Sequence, residues 1–141
     1  MLQFALFVVQ ISAFSLDNYN TYGEIDEWVE QKGGRIIALS QNGRNIRAVE
    51  IFANEESPAK TIMVDCGKGA RDWISITFCL NLINELSTGN RELGNVNWVI
   101  LPLLNPDGYA YTWSQGFEKI ISKKNHNVFP RVSPLFFLNP M

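Results

Sequence analysis

The sequence predicts an α/β fold arranged as a partial mixed-sheet sandwich, and three observations lead there. An apolar, strand-like run from Thr61 to Cys66 enters the glycine-rich turn Gly67-Lys68-Gly69, and a long apolar helix pattern starts near Asp72. A second strand-like run, Val96 to Leu101, follows that helix. Ahead of both, Arg35 to Gln41 and Ile46 to Phe52 flank Asn42-Gly43, the dipeptide that best accommodates the positive φ of a hairpin turn.

Each element has a local reason. Thr21-Tyr22-Gly23-Glu24 is a capping box: the Thr21 hydroxyl accepts from the first turn and Glu24 reaches back. The helix it opens should run to about Gln31, with Ile25, Trp28 and Val29 on one face and Gly33-Gly34 stopping it. Asn54 to Lys60 is polar, contains Pro58 and reads as a loop, as does Gly89 to Asn95. The helix from Asp72 to Thr88 is apolar almost all round (Trp73, Ile74, Ile76, Phe78, Leu80, Leu82, Ile83, Leu86), which predicts burial on several sides. Thr61–Cys66 and Val96–Leu101 are expected as inner strands. Asn105-Pro106-Asp107-Gly108 reads as a turn, proline presetting φ and glycine accepting its positive value.

At 141 residues and 46% hydrophobic content, the chain has material for one modest core. Twelve basic and 14 acidic residues give a net charge of −2, which argues against a nucleic-acid partner. Cys66 and Cys79 lack both CxxC spacing and a histidine cluster, so they do not form a zinc pattern. They read first as two buried free thiols, with a disulfide as the alternative in a secreted chain. Leu2 to Phe14 is apolar apart from Gln3, Gln10 and Ser12, and small residues at Ala13 and Ser15 suit cleavage after Ser15. Residues 1–15 therefore read as a signal peptide, implying a secreted protein. The run is shorter than the roughly 20 apolar residues that span a bilayer. It also lacks a basic start, which leaves open a buried strand or helix, or a leader from an incomplete gene model.

The segment Val64 to Ser75 carries more than a fold signal. Asp65, Gly67, Arg71, Trp73, Ile74 and Ser75 stand in register with Asp-x-Gly-x-His-x-Arg-Glu-Trp-Ile-(Ser/Thr), and Trp98 to Tyr109 resembles a strand ending in Pro-x-x-Asn-Pro-Asp-Gly-Tyr. With the opening Tyr19 to Trp28, these segments resemble the zinc metallocarboxypeptidases of the carboxypeptidase A/B type. The resemblance covers Leu16 to Ser114, about the first third of a family catalytic domain. The expectation is a carboxypeptidase-type sandwich truncated after the Asn-Pro-Asp-Gly strand, with residues 115–141 an unmatched tail.

The resemblance implies removal of C-terminal residues from peptides by a zinc enzyme, with peptide or protein C-termini as partners. Zinc catalysis needs three protein ligands, an open position for water and a carboxylate general base. The family's first two ligands are the His and Glu of His-x-x-Glu; those positions are Gly69 and Asp72. Gly69 has no side chain, and Asp72 is one methylene short, a loss of ~1.5 Å in reach. Asp72 also has a structural reading, as an acid at a helix N-terminus. The family's third ligand and general base lie beyond the last residue, and its carboxylate-binding arginine falls where Gln115 to Lys123 contains none. The sole histidine, His126, reads as a solvated tail residue. Arg71 is the one retained candidate for substrate contact, with a surface ion pair as its alternative role. The expectation is an inactive member that does not bind zinc, prone to self-association through open sheet edges. The alternative is a non-catalytic anion- or peptide-binding module, with Gly67 to Arg71 presenting two cations and backbone amides at a helix start.

Overall fold

A computed structural model describes residues 14–53, 60–89 and 96–115. All but the last two residues of the signal peptide expected over residues 1–15, the tail and most of the two expected loops fall outside them, His126 and Lys123 included. The element order is α1 (Tyr22–Gln31), β1 (Arg35–Leu39), β2 (Asn45–Ile51), β3 (Lys60–Asp65), α2 (Trp73–Ser87), β4 (Val96–Leu101) and α3 (Pro106–Gln115). The strands form one mixed sheet in the order β1-β2-β4-β3. β1 and β2 pair antiparallel across the Asn42-Gly43 turn, β2 and β4 pair antiparallel, and β3 runs parallel to β4. A parallel pair cannot be joined by a tight turn, so α2 makes the crossover.

The capping box forms as expected: Thr21 N–H donates to Glu24 Oε2 at 2.7 Å, and Glu24 N–H to Thr21 Oγ1 at 3.4 Å. Ile25 and Val29 then enter the core, and Trp28 stacks on Phe14 with ring centroids 4.7 Å apart. That core also takes Ile76, Cys79, Leu80, Ile83 and Leu86 from α2, Val49 from β2 and Ile100 from β4. Arg47 on β2 is buried beneath α1. It donates to Asp26 Oδ1 at 2.7 Å, Glu30 Oε2 at 3.0 Å and the Gly34 carbonyl at 2.9 Å. A buried guanidinium needs such partners for its donors.

Four expectations are corrected. β4 is an inner strand, but β3 lies at the edge of the described sheet with five of its six residues exposed, Met63 at 71%. α2 is not buried all round: its inward stripe is closed, while Ile74 and Phe78 stand 77% and 59% exposed. Cys66 and Cys79 are joined in a disulfide rather than free. α2 packs its inward face over the end of β3, bringing the two Cα atoms to 6.3 Å, within bonding range. Finally, Asn105-Pro106-Asp107-Gly108 is not a turn but the start of α3. Asn105 caps it, its Oδ1 accepting from Gly108 N–H at 2.9 Å. Pro106 takes the first helical position, where its missing N–H matters least.

Candidate functional site

The loop from Cys66 to Asp72 leaves β3 and enters α2, and α3 braces it from the side. Cys66 N–H donates to the Leu101 carbonyl, and the Cys66 and Gly67 carbonyls accept from Leu104 and Asn105 N–H, each at 2.9 Å. The Asn105 side-chain amide reaches the Lys68 carbonyl at 3.3 Å, and Thr112 Oγ1 donates to the Ala70 carbonyl at 3.0 Å. Gly67 has φ 62°, and a Cβ there would sit 2.7 Å from Ile76 Cγ1 and 2.9 Å from Leu103 Cδ1. Glycine is therefore required by both the backbone and the packing. Gly108 brings α3 onto the loop in a similar way, with a hypothetical Cβ 2.9 Å from Ala70 Cβ.

Gly69 and Asp72 close on each other. Gly69 N–H donates to Asp72 Oδ2 at 2.7 Å, and Asp72 N–H returns to the Gly69 carbonyl at 3.1 Å. Asp72 occupies the cap position of α2, but its carboxylate makes no capping bond to the helix and turns back to the loop. Asp72 thus stands at the helix N-terminus as read from sequence, and the donor its carboxylate takes is the Gly69 amide. A Cβ on residue 69 would lie 2.7 Å from Asp72 Oδ2 and 2.9 Å from its Cγ. The volume in which a side chain at 69 would begin is thus filled by the Asp72 carboxylate. These two positions do not fit a zinc ion: they offer one short carboxylate, already bonded to the loop. Among the described residues no group of three or more His, Cys, Asp or Glu is placed to hold a metal.

Arg71 is exposed on the turn beside this pair, and Lys68 is exposed on the other side. Trp73, which follows, lies among Tyr19, Tyr109 and Trp113 at ring centroid distances of 5.2, 5.4 and 5.0 Å, and its Nε1 donates to Thr112 Oγ1 at 3.1 Å. Ser75 Oγ accepts from Gly67 N–H at 3.1 Å and donates to the Asp72 carbonyl at 2.8 Å, locking the loop to the first turn of α2. The roles of Ser75, Thr112 and Asn105 were not read from sequence. For Asn105 the sequence carries one usable signal, an asparagine directly ahead of proline, which suits a helix cap as well as a turn.

Asp107, in the first turn of α3, clamps the β1–β2 hairpin. It accepts from Ser40 Oγ at 2.9 Å, Asn42 N–H at 3.1 Å and Arg44 Nη1 at 2.7 Å. Burial alone would raise its carboxyl, but the bonds from Arg44, Ser40 and Asn42 outweigh that and hold it below the ordinary carboxylate value. A lowered folded value means its stabilisation is full above the unfolded value of ~3.9 and is lost as pH falls through the folded one. Asp107→Asn is expected to cost about 1–2 kcal/mol near neutrality. It should also flatten the acid limb of a stability-versus-pH curve below pH ~4. Denaturant melts of both proteins across that range check this, and parallel acid limbs would count against it.

Comparison with known proteins agrees with this architecture. The zinc carboxypeptidase family profile matches residues 18–130. Carboxypeptidase O of Bos taurus is 30% identical over 132 residues, covering 83% of this chain and 35% of that protein. Carboxypeptidase B of Rattus norvegicus is 32% identical over 120 residues, covering 74% and 28%. A protein named inactive metallocarboxypeptidase ECM14, of Saccharomyces cerevisiae, is 32% identical over 117 residues, covering 68% and 27%. Among solved structures, thrombin activatable fibrinolysis inhibitor superposes with a TM-score of 0.66 at 26% identity, over 71% of this chain and 29% of that one. The chain spans about a third of the length of the curated relatives it matches. By its profile, its relatives and its sheet, the chain belongs to the zinc carboxypeptidase family.

Proposed function

We propose that this chain is a non-catalytic member of the zinc carboxypeptidases, one in which the ligand loop has become a self-bonded structural turn. The observation that carries this reading is the Gly69–Asp72 pair. The position matching the family histidine has no side chain, and the neighbouring carboxylate sits where that side chain would start, bonded to the Gly69 amide at 2.7 Å. Zinc would have to displace that bond and would gain one carboxylate, against the three protein ligands of a catalytic site. Without the metal no water is acidified toward neutrality and no carbonyl is polarised.

Secretion belongs to the same proposal. A buried disulfide between Cys66 and Cys79 supports folding in an oxidising compartment, since cytosolic thiols are kept reduced. Among the described residues no helix is long and apolar enough to cross a membrane. Arg71, exposed at the turn, is the residue of this loop that matches a family substrate-contact position. The reading of Gly67 to Arg71 as an anion- or peptide-binding module has less support, because the Gly69 amide is already taken by a carboxylate that would repel an anion.

The test is zinc content after dialysis against zinc, together with an assay for release of aromatic, aliphatic and basic C-terminal residues. The expected result is well under one zinc per chain and no release. One tightly held zinc per chain, with release abolished by a chelator, would overturn the proposal.

A further inference from the structure

We infer that Asn42 is a site of spontaneous covalent modification, at which the Gly43 main-chain nitrogen attacks the Asn42 side-chain amide and the product loosens the hairpin clamp on Asp107. Asn42-Gly43 is the single Asn-Gly pair in the 141 residues. Both residues are exposed at the tip of the β1–β2 hairpin. Gly43 has φ 75°, and nothing beyond its chain neighbours lies within 4 Å of where a Cβ would stand. Residue 43 itself thus brings no side chain against the closing ring.

The step balances without an oxidant or reductant. The Gly43 nitrogen gives up its proton and bonds to Asn42 Cγ; the Cγ–N bond of the side-chain amide breaks and ammonia leaves. The resulting five-membered imide is opened by water at either carbonyl, giving aspartate or isoaspartate at position 42. In the folded chain Gly43 N–H donates to the Ser40 carbonyl at 3.0 Å, and Asn42 N–H to Asp107 Oδ2 at 3.1 Å. Closure thus waits on opening of the turn.

The structure holds an internal contrast. Asp107-Gly108 is the single Asp-Gly pair, and it is open in principle to the same imide chemistry. There Gly108 is buried, its N–H is fixed on Asn105 Oδ1 at 2.9 Å, and the Asp107 carboxylate is held by three donors. That ring cannot close without unfolding the start of α3, so one pair is exposed to the reaction and its contact partner is protected. The product places a second carboxylate on the residue whose own N–H reaches Asp107. A negative charge on that residue opposes the Asp107 carboxylate, which Arg44 now holds. The isoaspartate form also adds a main-chain methylene inside the turn closed by Ser40 N–H on the Arg44 carbonyl at 2.8 Å.

The full chain is incubated at mildly alkaline pH beside the free peptide Ser40 to Ile46, and both are followed by peptide mapping, ammonia release and isoaspartate methyl-transfer labelling. Amide-to-acid conversion is expected first at Asn42, several times more slowly in the folded chain than in the peptide, with Asp107 unaltered and with no conversion at position 42 in Asn42→Gln. The aged protein and Asn42→Asp should both melt roughly 4 °C or more below fresh protein. A folded chain still intact at Asn42 after the peptide has fully converted would overturn the modification site. An Asn42→Asp protein that melts with the parent would overturn the loosening of the clamp.

Discussion

Reducing the Cys66–Cys79 disulfide is expected to lower the unfolding free energy by about 3 kcal/mol, the largest single loss of stability anticipated for this chain. The bond closes a short loop, its cysteines 13 positions apart, and such a constraint acts mainly by restricting the unfolded chain. In the folded state both cysteines are buried, at 4% and 0% exposure, and Cys79 packs within the same cluster as Ile76, Leu80 and Ile83. Cys66→Ala with Cys79→Ala should therefore fall at least as far, since it also removes two core sulfur atoms. The effect should be felt in the Gly67–Asp72 loop, which lies wholly between the two cysteines. Urea titrations with and without a reductant check this, with free thiols counted to confirm reduction. A midpoint that does not move in fully reduced protein would show that the sheet and α2 hold together without the bond.

Local chemistry made much of this fold legible. The Thr21–Glu24 box, the Gly33-Gly34 stop and the Asn42-Gly43 turn each depend on neighbours within a few residues, and each formed where expected. The α3 start shows where local reading divides. Asn-Pro-Asp-Gly suits a type I or II turn and a capped helix equally, because proline's fixed φ serves both. What decides is the run Tyr109 to Gln115, free of proline and glycine, whose Tyr109 is buried beside Trp73 and whose Thr112 bonds the Ala70 carbonyl of the loop. The open side of α2 and the edge position of β3 were illegible for another reason: hydrophobicity reports what a segment would bury, not which neighbour covers it. The disulfide needed knowledge that α2 crosses the end of β3. In the candidate site, the loss of a ligand at Gly69 was plain from the residue itself. The Asp72 carboxylate turning back onto the Gly69 amide had no sequence signal, since an acid before a helix ordinarily caps it.

That closed pair also sets the outcome of rebuilding the ligand loop. Gly69 is absent from the positive-φ glycines, so its backbone accepts a side chain, but the new Cβ would fall 2.7 Å from Asp72 Oδ2. Gly69→His alone must therefore push the Asp72 carboxylate off the Gly69 amide. This should cost about 1 kcal/mol, the worth of one exposed hydrogen bond, and bring no zinc with it. Adding Asp72→Glu lengthens the carboxylate by ~1.5 Å and frees it from the short ring it now closes. The double variant then presents imidazole and carboxylate three residues apart, and weak, chelator-reversible zinc binding is expected of it. Turnover is not. Two donors leave the metal short of the three that a catalytic centre uses, and no group in the loop stands ready as general base. Such groups act as a unit, so restoring two of them does not return a proportionate share of the rate. Zinc per chain and release of C-terminal aromatic, aliphatic and basic residues are measured on the parent and both variants. Release that a chelator stops and added zinc restores in proportion, in the parent or in the double variant, would show that the described loop is closer to a working centre than its geometry allows.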